Sequence, residues 1–202
     1  MKYTTIILDR GHATLDRNGR YATPGKQFKF PDGTQVYEGY ENQKYVERLA
    51  HYAEEKGFKV DYTIKPDSPL DISLADRVRR ANSLPDAKKS IYVSVHNNAG
   101  GGQGTEVFTS KGQTKSDIIA EEIIDAISTQ YPLRKMRLET SDGDKDKEEN
   151  FYVLKHTSMP AVLLEYGFFD NREDYDWLSN PCTIELLAKA TIEGIYNAVS
   201  IL

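Results

Sequence analysis

Residues 91–99, Ile-Tyr-Val-Ser-Val-His-Asn-Asn-Ala, constrain the fold more than any other stretch of the chain. β-Branched and aromatic residues dominate its first half, which is typical of a strand covered on both faces in a parallel sheet. His96 stands where this apolar run ends. Because open α/β sheets form their ligand crevices at the carboxyl ends of the strands, His96 is a candidate functional residue.

Two other apolar runs end in the same way. Residues 4–9 lead into Gly11 and His12, and residues 161–164 lead into Glu165. We therefore expect three strands to deliver metal-capable side chains to the same edge of one sheet. Helical and strand patterns alternate between these runs, which predicts an α/β fold.

Helix signals place most of the remaining elements. An amphipathic stripe predicts a helix over 41–56, and capping boxes open helices at Ser73 and Thr114. Asn171 and the Asn180-Pro181 pair begin two closing helices. Further strands are predicted over residues 58–63, 105–109 and 151–154, and a hairpin around a Pro-Asp-Gly turn over residues 28–37.

The bulk composition excludes several classes of protein. With 202 residues, 39% of them hydrophobic, we expect a single domain over 1–202 with an elaborated loop and hairpin at about 13–37. That loop fits a lid over a site and a packed surface hairpin equally well. A formal charge of 26 − 31 = −5 provides no basic field for nucleic acid. We expect no membrane insertion and no signal peptide, and we predict that Cys182 is a buried apolar residue.

The histidines at the strand ends suggest a catalytic metal site. Catalytic zinc takes three nitrogen or oxygen ligands and keeps one open position. His12, His96 and one acid would supply that set, and both Glu38 and Glu41 are candidates for the acid. The other two histidines, His51 and His156, lie away from strand ends and are predicted to be structural.

Glu165 is a candidate general base. A carboxylate that emerges from a buried apolar strand is partly desolvated, which raises its pKa toward neutrality. The alternative is a salt-bridged acid at the sheet rim, but Gly167 and Phe168 provide no neighbouring cation in the sequence. We therefore favour a catalytic role.

Two other segments carry weaker signals. Residues 139–150 contain six acids and two lysines without apolar periodicity, so we expect a solvated loop. A calcium-site interpretation is not favoured, because the EF-hand spacing with its final bidentate glutamate is not met. The glycines at 100–102 lack the spacing of a phosphate-binding loop.

Four motifs taken together carry a family resemblance. They are Asp9-Arg10-Gly11-His12, Glu38 four residues before Asn42, Ser94 to Ala99, and Pro160 to Phe168. In this order, over nearly the whole chain, they resemble the zinc-dependent N-acetylmuramoyl-L-alanine amidases of the amidase-3 type. The chain differs from the usual family pattern at Ala13-Thr14 and at Tyr166.

This resemblance implies a fold, a site and an activity. The implied fold is a twisted, mainly parallel β-sheet flanked by helices on both faces. The implied ligands of one Zn²⁺ ion per chain are His12, Glu38 and His96, so the resemblance selects Glu38 over Glu41, and the implied catalytic residue is Glu165. The implied reaction hydrolyses the amide between the N-acetylmuramic acid lactyl group and L-alanine of peptidoglycan.

Two alternative functions remain open at this stage. One is a zinc peptidase that acts on stem peptides, and the other is a wall-binding module that has kept the fold without turnover. In either case the expected partner is peptidoglycan, reached by secretion or by release at lysis. The sequence indicates no oligomeric state.

Overall fold

The structure, a computed structural model, describes residues 2–202, and strands and helices alternate along most of this range. The strands are β1 (Thr5–Arg10), β2 (Gln27–Lys29), β3 (Gln35–Tyr37), β4 (Lys59–Tyr62), β5 (Ser90–Asn98), β6 (Glu106–Thr109), β7 (Lys147–Glu148) and β8 (Ala161–Phe168). The α-helices are α1 (Glu38–Glu55), α2 (Leu74–Ser83), α3 (Lys115–Gln130), α4 (Tyr152–His156), α5 (Arg172–Leu178) and α6 (Pro181–Ile201).

Six of the strands form one mainly parallel sheet in the order β4-β1-β5-β8-β6-β7. Strand β1 runs parallel to β4 and β5, and β5 runs parallel to β8. Strand β6 is antiparallel to β8. The carboxyl ends of β1, β5 and β8 therefore meet at one edge, which confirms the arrangement expected from the three apolar runs.

Helices cover both faces of this sheet, as the predicted fold class requires. Because successive residues of a strand point to opposite faces, Ile6 and Leu8 pack with residues of α1, α3 and α6. Ile7, between them, packs with residues of α2 and α4 on the other face. All three side chains are fully buried. The near-continuous apolar runs of β1, β5 and β8 are explained by this burial on both sides.

The predicted helix starts are confirmed by their caps. The Ser73 hydroxyl accepts a hydrogen bond from the Asp76 backbone N–H, and the Thr114 and Asp117 pair forms a capping box. The Asn180 side chain caps α6, with Pro181 in the first turn. Among the helices of residues 2–202, none has both the length and the apolar character needed to cross a membrane.

The hairpin of β2 and β3 packs against the body of the protein. The two strands are antiparallel around Gly33, whose φ of 91° lies in the left-handed region that glycine adopts freely. Phe30 and Val36 form a small buried cluster with Phe169. These two strands therefore form a packed hairpin. Lys26, the residue before β2, lines the cavity of the candidate site.

Two local predictions were wrong. Residues 151–154, predicted as a strand, form the N-cap and the first three residues of α4, because a run of four apolar residues has too little periodicity to separate the two states. Cys182, predicted to be buried, is exposed. It lies in the first turn of α6, before the buried stripe that begins with Thr183 and Ile184.

Candidate metal centre

His12, Glu38 and His96 converge at the sheet edge. His12 follows β1, Glu38 is the first residue of α1, and His96 lies near the end of β5. Glu38 Oε1 is 3.4 Å from His12 Nε2 and 3.1 Å from His96 Nδ1. One possible ligand atom from each residue lies within 4.8 Å of the other two. This distance lets the three side chains share one ion.

The backbone before α1 brings the two imidazoles together. His12 has a φ of 62°, a left-handed conformation that a non-glycine residue adopts at a cost of about 1–3 kcal/mol. Gly11 passes directly beneath the His96 ring, since a Cβ at position 11 would lie 2.4 Å from His96 Cε1. The chain thus turns sharply after β1 and needs glycine at position 11 to leave room for His96.

The structure distinguishes the two candidate acids, which the residue pattern alone could not. Glu38 is fully buried between the histidines. Glu41 lies nearly one turn further along α1 and is paired with Lys44 at 2.7 Å. Asn42 holds this corner together, because its amide donates to the Gly11 carbonyl at 3.1 Å and to Glu38 Oε1 at 3.4 Å.

The donor set fits a zinc ion. The buried His12 Nε2 and Glu38 Oε2 atoms have no hydrogen-bond partner, although buried polar atoms nearly always have one. Two imidazole nitrogens and a carboxylate oxygen are also a ligand set typical of catalytic zinc. Burial lowers the pKa of His12, which favours the neutral imidazole that binds metal. Burial opposes ionisation of Glu38, but the hydrogen bond from His96 and the charges of His96, His12 and Lys26 together outweigh it and lower the pKa of Glu38.

Glu165 lies beside His96 on the neighbouring strand. The two residues are register partners in the parallel pair β5 and β8, so their side chains project from the same face of the sheet. Burial raises the pKa of Glu165 to about 8. The opposite charge of His96 reduces this rise, and the like charge of Glu38 adds to it. Its Oε2 atom is buried without a hydrogen-bond partner. A carboxylate with this pKa is suited to proton transfer near neutral pH.

Asp71 is a site residue that sequence reasoning missed. Its Oδ2 atom lies 3.7 Å from His12 Nδ1 and accepts a hydrogen bond of 2.9 Å from the Thr23 hydroxyl. Its Oδ1 atom accepts from Arg77 Nη2 at 2.7 Å. Burial opposes ionisation of Asp71, but the bonds from His12, Arg77 and Thr23 outweigh it and lower its pKa. A carboxylate behind a ligand histidine commonly fixes the orientation of its ring.

The three strand-end residues His12, His96 and Glu165 line one cavity of about 660 Å³. Leu74, Phe151 and Tyr152 form an apolar wall of this cavity, and each is more than a third exposed. Lys26 also lines it, with Nζ 3.6 Å from Glu38 Oε2. The cavity thus combines a polar floor with apolar sides, as binding sites for small organic groups commonly do.

The other candidates from the sequence lie elsewhere. The exposed His51 side chain is 3.3 Å from the Glu55 carboxylate on α1. His156 Nδ1 is 3.0 Å from the Tyr152 carbonyl oxygen. The glycine turn at 100–102 wraps a carboxylate of the chain itself, because Gly100 N–H donates to Asp170 at 2.6 Å.

Comparison with known proteins gives a family and a fold. The family model described as N-acetylmuramoyl-L-alanine amidase matches residues 6–197. The chain is 32% identical to the N-acetylmuramoyl-L-alanine amidase CwlM of Bacillus licheniformis over 147 residues, which are 70% of this chain and 52% of that protein. It is 32% identical to the endolysin of Bacillus phage SPP1 over 71% of this chain and 52% of that protein. The chain thus spans about half the length of these curated relatives.

A solved structure supports the same fold. The N-acetylmuramoyl-L-alanine amidase from Clostridium difficile 630 superposes with a TM-score of 0.79, at 24% sequence identity. The match covers 99% of this chain and 98% of the other. At this level of identity the likeness establishes the arrangement of strands and helices alone.

Proposed function

The chain belongs to the N-acetylmuramoyl-L-alanine amidase family, and from this premise we propose that it hydrolyses the amide between the lactyl group of N-acetylmuramic acid and L-alanine in peptidoglycan. One observation carries the proposal: two histidines, a buried glutamate and a second carboxylate meet at the carboxyl edge of the parallel sheet. This combination is suited to amide hydrolysis near neutral pH.

His12, Glu38 and His96 would hold one zinc ion per chain. When bound, zinc supplies Lewis acidity, which polarises a carbonyl and lowers the pKa of water toward about 7. Asp71 would keep the His12 ring in its binding orientation through Nδ1. Asn42 would hold Glu38 and the Gly11 turn in place through the hydrogen bonds of its amide.

Glu165 would act as the general base and then as the general acid of the reaction. Its carboxylate takes a proton from the attacking water and later donates it to the nitrogen of L-alanine as the C–N bond breaks. Hydrolysis therefore yields a free lactyl carboxylate and a new amino terminus, with no change of oxidation state. The unpartnered Oε2 atom of Glu165 leaves this carboxylate free for that exchange.

The cavity walls would orient the substrate. Leu74, Phe151 and Tyr152 present apolar surface that fits the lactyl and alanyl methyl groups and the face of the sugar ring. Lys26, 44% exposed at the side chain, offers a cation to the carboxylates of the stem peptide. We propose that the protein acts on the cell wall, reached by secretion or at lysis.

Digestion of purified peptidoglycan tests this reaction. We expect mass spectrometry to show intact stem peptides with a free amino-terminal alanine, and we expect no new reducing sugar ends. Released single amino acids instead of whole stem peptides would identify a peptidase and refute the amidase.

Variants separate catalysis from metal binding. Glu165→Gln keeps the size of the side chain but cannot accept the proton, so we expect turnover to fall by about a hundredfold or more with zinc retained. His96→Ala removes a ligand, so zinc and activity should be lost together. Lys59→Gln, on the exposed start of β4, is the matched surface control. Full turnover by Glu165→Gln would contradict the assigned role.

A further inference from the structure

The acid-rich segment of residues 139–150 is not the wholly solvated loop that its composition predicts. Strand β7 lies within it and pairs with the end of β6. Asp144 and Asp146 are buried, with exposures of 9% and 1%, whereas Asp142 is exposed. Burial of two acids from a polar loop needs a compensating partner, because an ionised carboxylate is costly to remove from water.

The lysines of this segment do not provide that partner. Lys145 and Lys147, the two cations of this segment, each form an ion pair with an acid outside it. Lys145 Nζ is 2.6 Å from the Asp125 carboxylate, and Lys147 Nζ is 2.6 Å from that of Glu106. Both cations are thus engaged with other acids.

The two buried carboxylates are only half satisfied. Asp146 Oδ2 accepts a hydrogen bond of 2.6 Å from the Thr109 hydroxyl, and Asp144 Oδ2 accepts one of 3.1 Å from the Gln113 amide. The Oδ1 atom of each is buried without a partner. The charge of Asp144 acts on Asp146, and two ionised carboxylates cannot donate a hydrogen bond to each other.

A third acid adds negative charge at the same place. Asp117 belongs to the capping box at the start of α3, and its carboxylate is committed to the Thr114 backbone N–H. Burial and then the repulsion of Asp144 raise the pKa of Asp146, to about 7. Neighbouring carboxylates of this kind require either a shared proton or a bound cation.

The ligand chemistry favours a hard cation over a soft metal ion. The atoms that could bind a metal ion here are all oxygens, from Asp144, Asp146 and the Thr109 hydroxyl, and they include no imidazole nitrogen or thiol sulfur. Calcium prefers such oxygen sets and completes an irregular shell of six to eight ligands with carbonyls and water. None of these residues lines the cavity that holds His12 and His96.

We propose that Asp144 and Asp146, together with Thr109, bind a calcium ion that fastens residues 139–150 to the end of β6 and the start of α3. The ion would neutralise the two orphaned carboxylate oxygens. It would also fix the segment that carries Lys147 to Glu106 and leads into Phe151 on the cavity wall. This site is independent of the proposed amidase reaction.

Calorimetric titration of calcium chloride into the zinc-loaded protein tests the proposal. We expect about one calcium per chain with a Kd of about 0.1–1 mM, the range of extracellular calcium modules. Asp144→Asn and Asp146→Asn should each abolish the heat of binding. Asp142→Asn, an exposed acid of the same segment, is the matched control and should bind as the unmodified protein does.

Thermal melting provides a second readout that does not depend on activity. Calcium at about a hundredfold excess over Kd should raise the Tm by about 5 °C for a chain of this length. That shift should be absent in Asp144→Asn and Asp146→Asn. No calcium binding by the unmodified protein, or equal binding by Asp146→Asn, would overturn the proposal. If Asp146→Asn raises the Tm while calcium leaves that of the unmodified protein unchanged, the two acids share a proton instead.

Discussion

Asp71 allows the most informative test of how the candidate metal centre is built. The carboxylate stands behind His12, with Oδ2 3.7 Å from Nδ1, and would hold the ring in the orientation that presents Nε2 to the metal. His12 itself has a strained φ of 62°, so its ring position depends on such support. Removing Asp71 should therefore weaken zinc binding without removing a ligand.

The expected loss of zinc affinity follows from the role of carboxylates that orient a ligand histidine. Loss of the carboxylate behind a ligand histidine typically weakens metal affinity by about 10–100-fold. We expect about 10-fold for Asp71→Asn, which keeps an oxygen acceptor, and about 100-fold for Asp71→Ala, or about 1.4 and 2.7 kcal/mol. The fold should persist, because Arg77 retains its 2.7 Å contact with buried Asp9.

Competition with a chromogenic chelator at fixed pH measures the zinc Kd of each variant. Asp76→Asn, a half-buried acid in the first turn of α2, is the matched control and should bind zinc as the unmodified protein does. Activity at saturating zinc should recover, because the ligands are intact. Zinc Kd values within about twofold of the unmodified protein for both Asp71 variants would refute the reasoning.

Three further predictions follow from single contacts. Gly11→Ala would place a Cβ 2.4 Å from His96 Cε1, so we expect the zinc content measured by elemental analysis to fall. Asp174→Ala removes the partner of buried Arg134, bound at 2.5 Å, which should cost about 3–5 kcal/mol and lower the calorimetric Tm by about 10 °C. In calcium-free buffer, Asp146 has its pKa raised to about 7 in the folded state, so the native protein holds a proton that the unfolded chain loses near pH 4. Stability should therefore fall as the pH rises from about 4 to about 7. Asp146→Asn should flatten the plot of Tm against pH over this range.

Each of these predictions has a contradicting result. Unchanged zinc content in Gly11→Ala would mean that the ring of His96 can move aside without losing the ion. A Tm loss below about 3 °C in Asp174→Ala would mean that the buried pair adds little. Parallel Tm curves for Asp146→Asn and the unmodified protein would mean that Asp146 does not retain its proton in the fold.

Much of the fold could be predicted from the sequence, because burial on both faces leaves a strong pattern. The apolar runs of β1, β5 and β8 identify both the strands and the edge where they end. His12, His96 and Glu165 could be selected because each follows such a run. Helix α4 was predicted as a strand because four apolar residues fit a strand and a short buried helix equally.

Other site residues could not be found from periodicity. Glu38 and Glu41 both occupy the first turn of α1, so only the turn geometry after β1 decides which one meets the histidines. Asp71 lies in the irregular segment between β4 and α2, where no pattern indicates which side chain points inward. Asp144 and Asp146 were expected to be solvated because the segment around them is polar. The pairing of the short strand β7 with β6, which holds this segment against the sheet, leaves no pattern in the sequence.

The zinc content of the purified protein tests the central claim most directly. We expect elemental analysis to find about one zinc per chain in the unmodified protein. His12→Ala, Glu38→Gln and His96→Ala should each lose it, while Glu41→Gln, the neighbouring acid on α1, should retain it. An unmodified protein that binds no zinc after incubation with the metal, or His12→Ala and His96→Ala variants that keep it, would contradict the account.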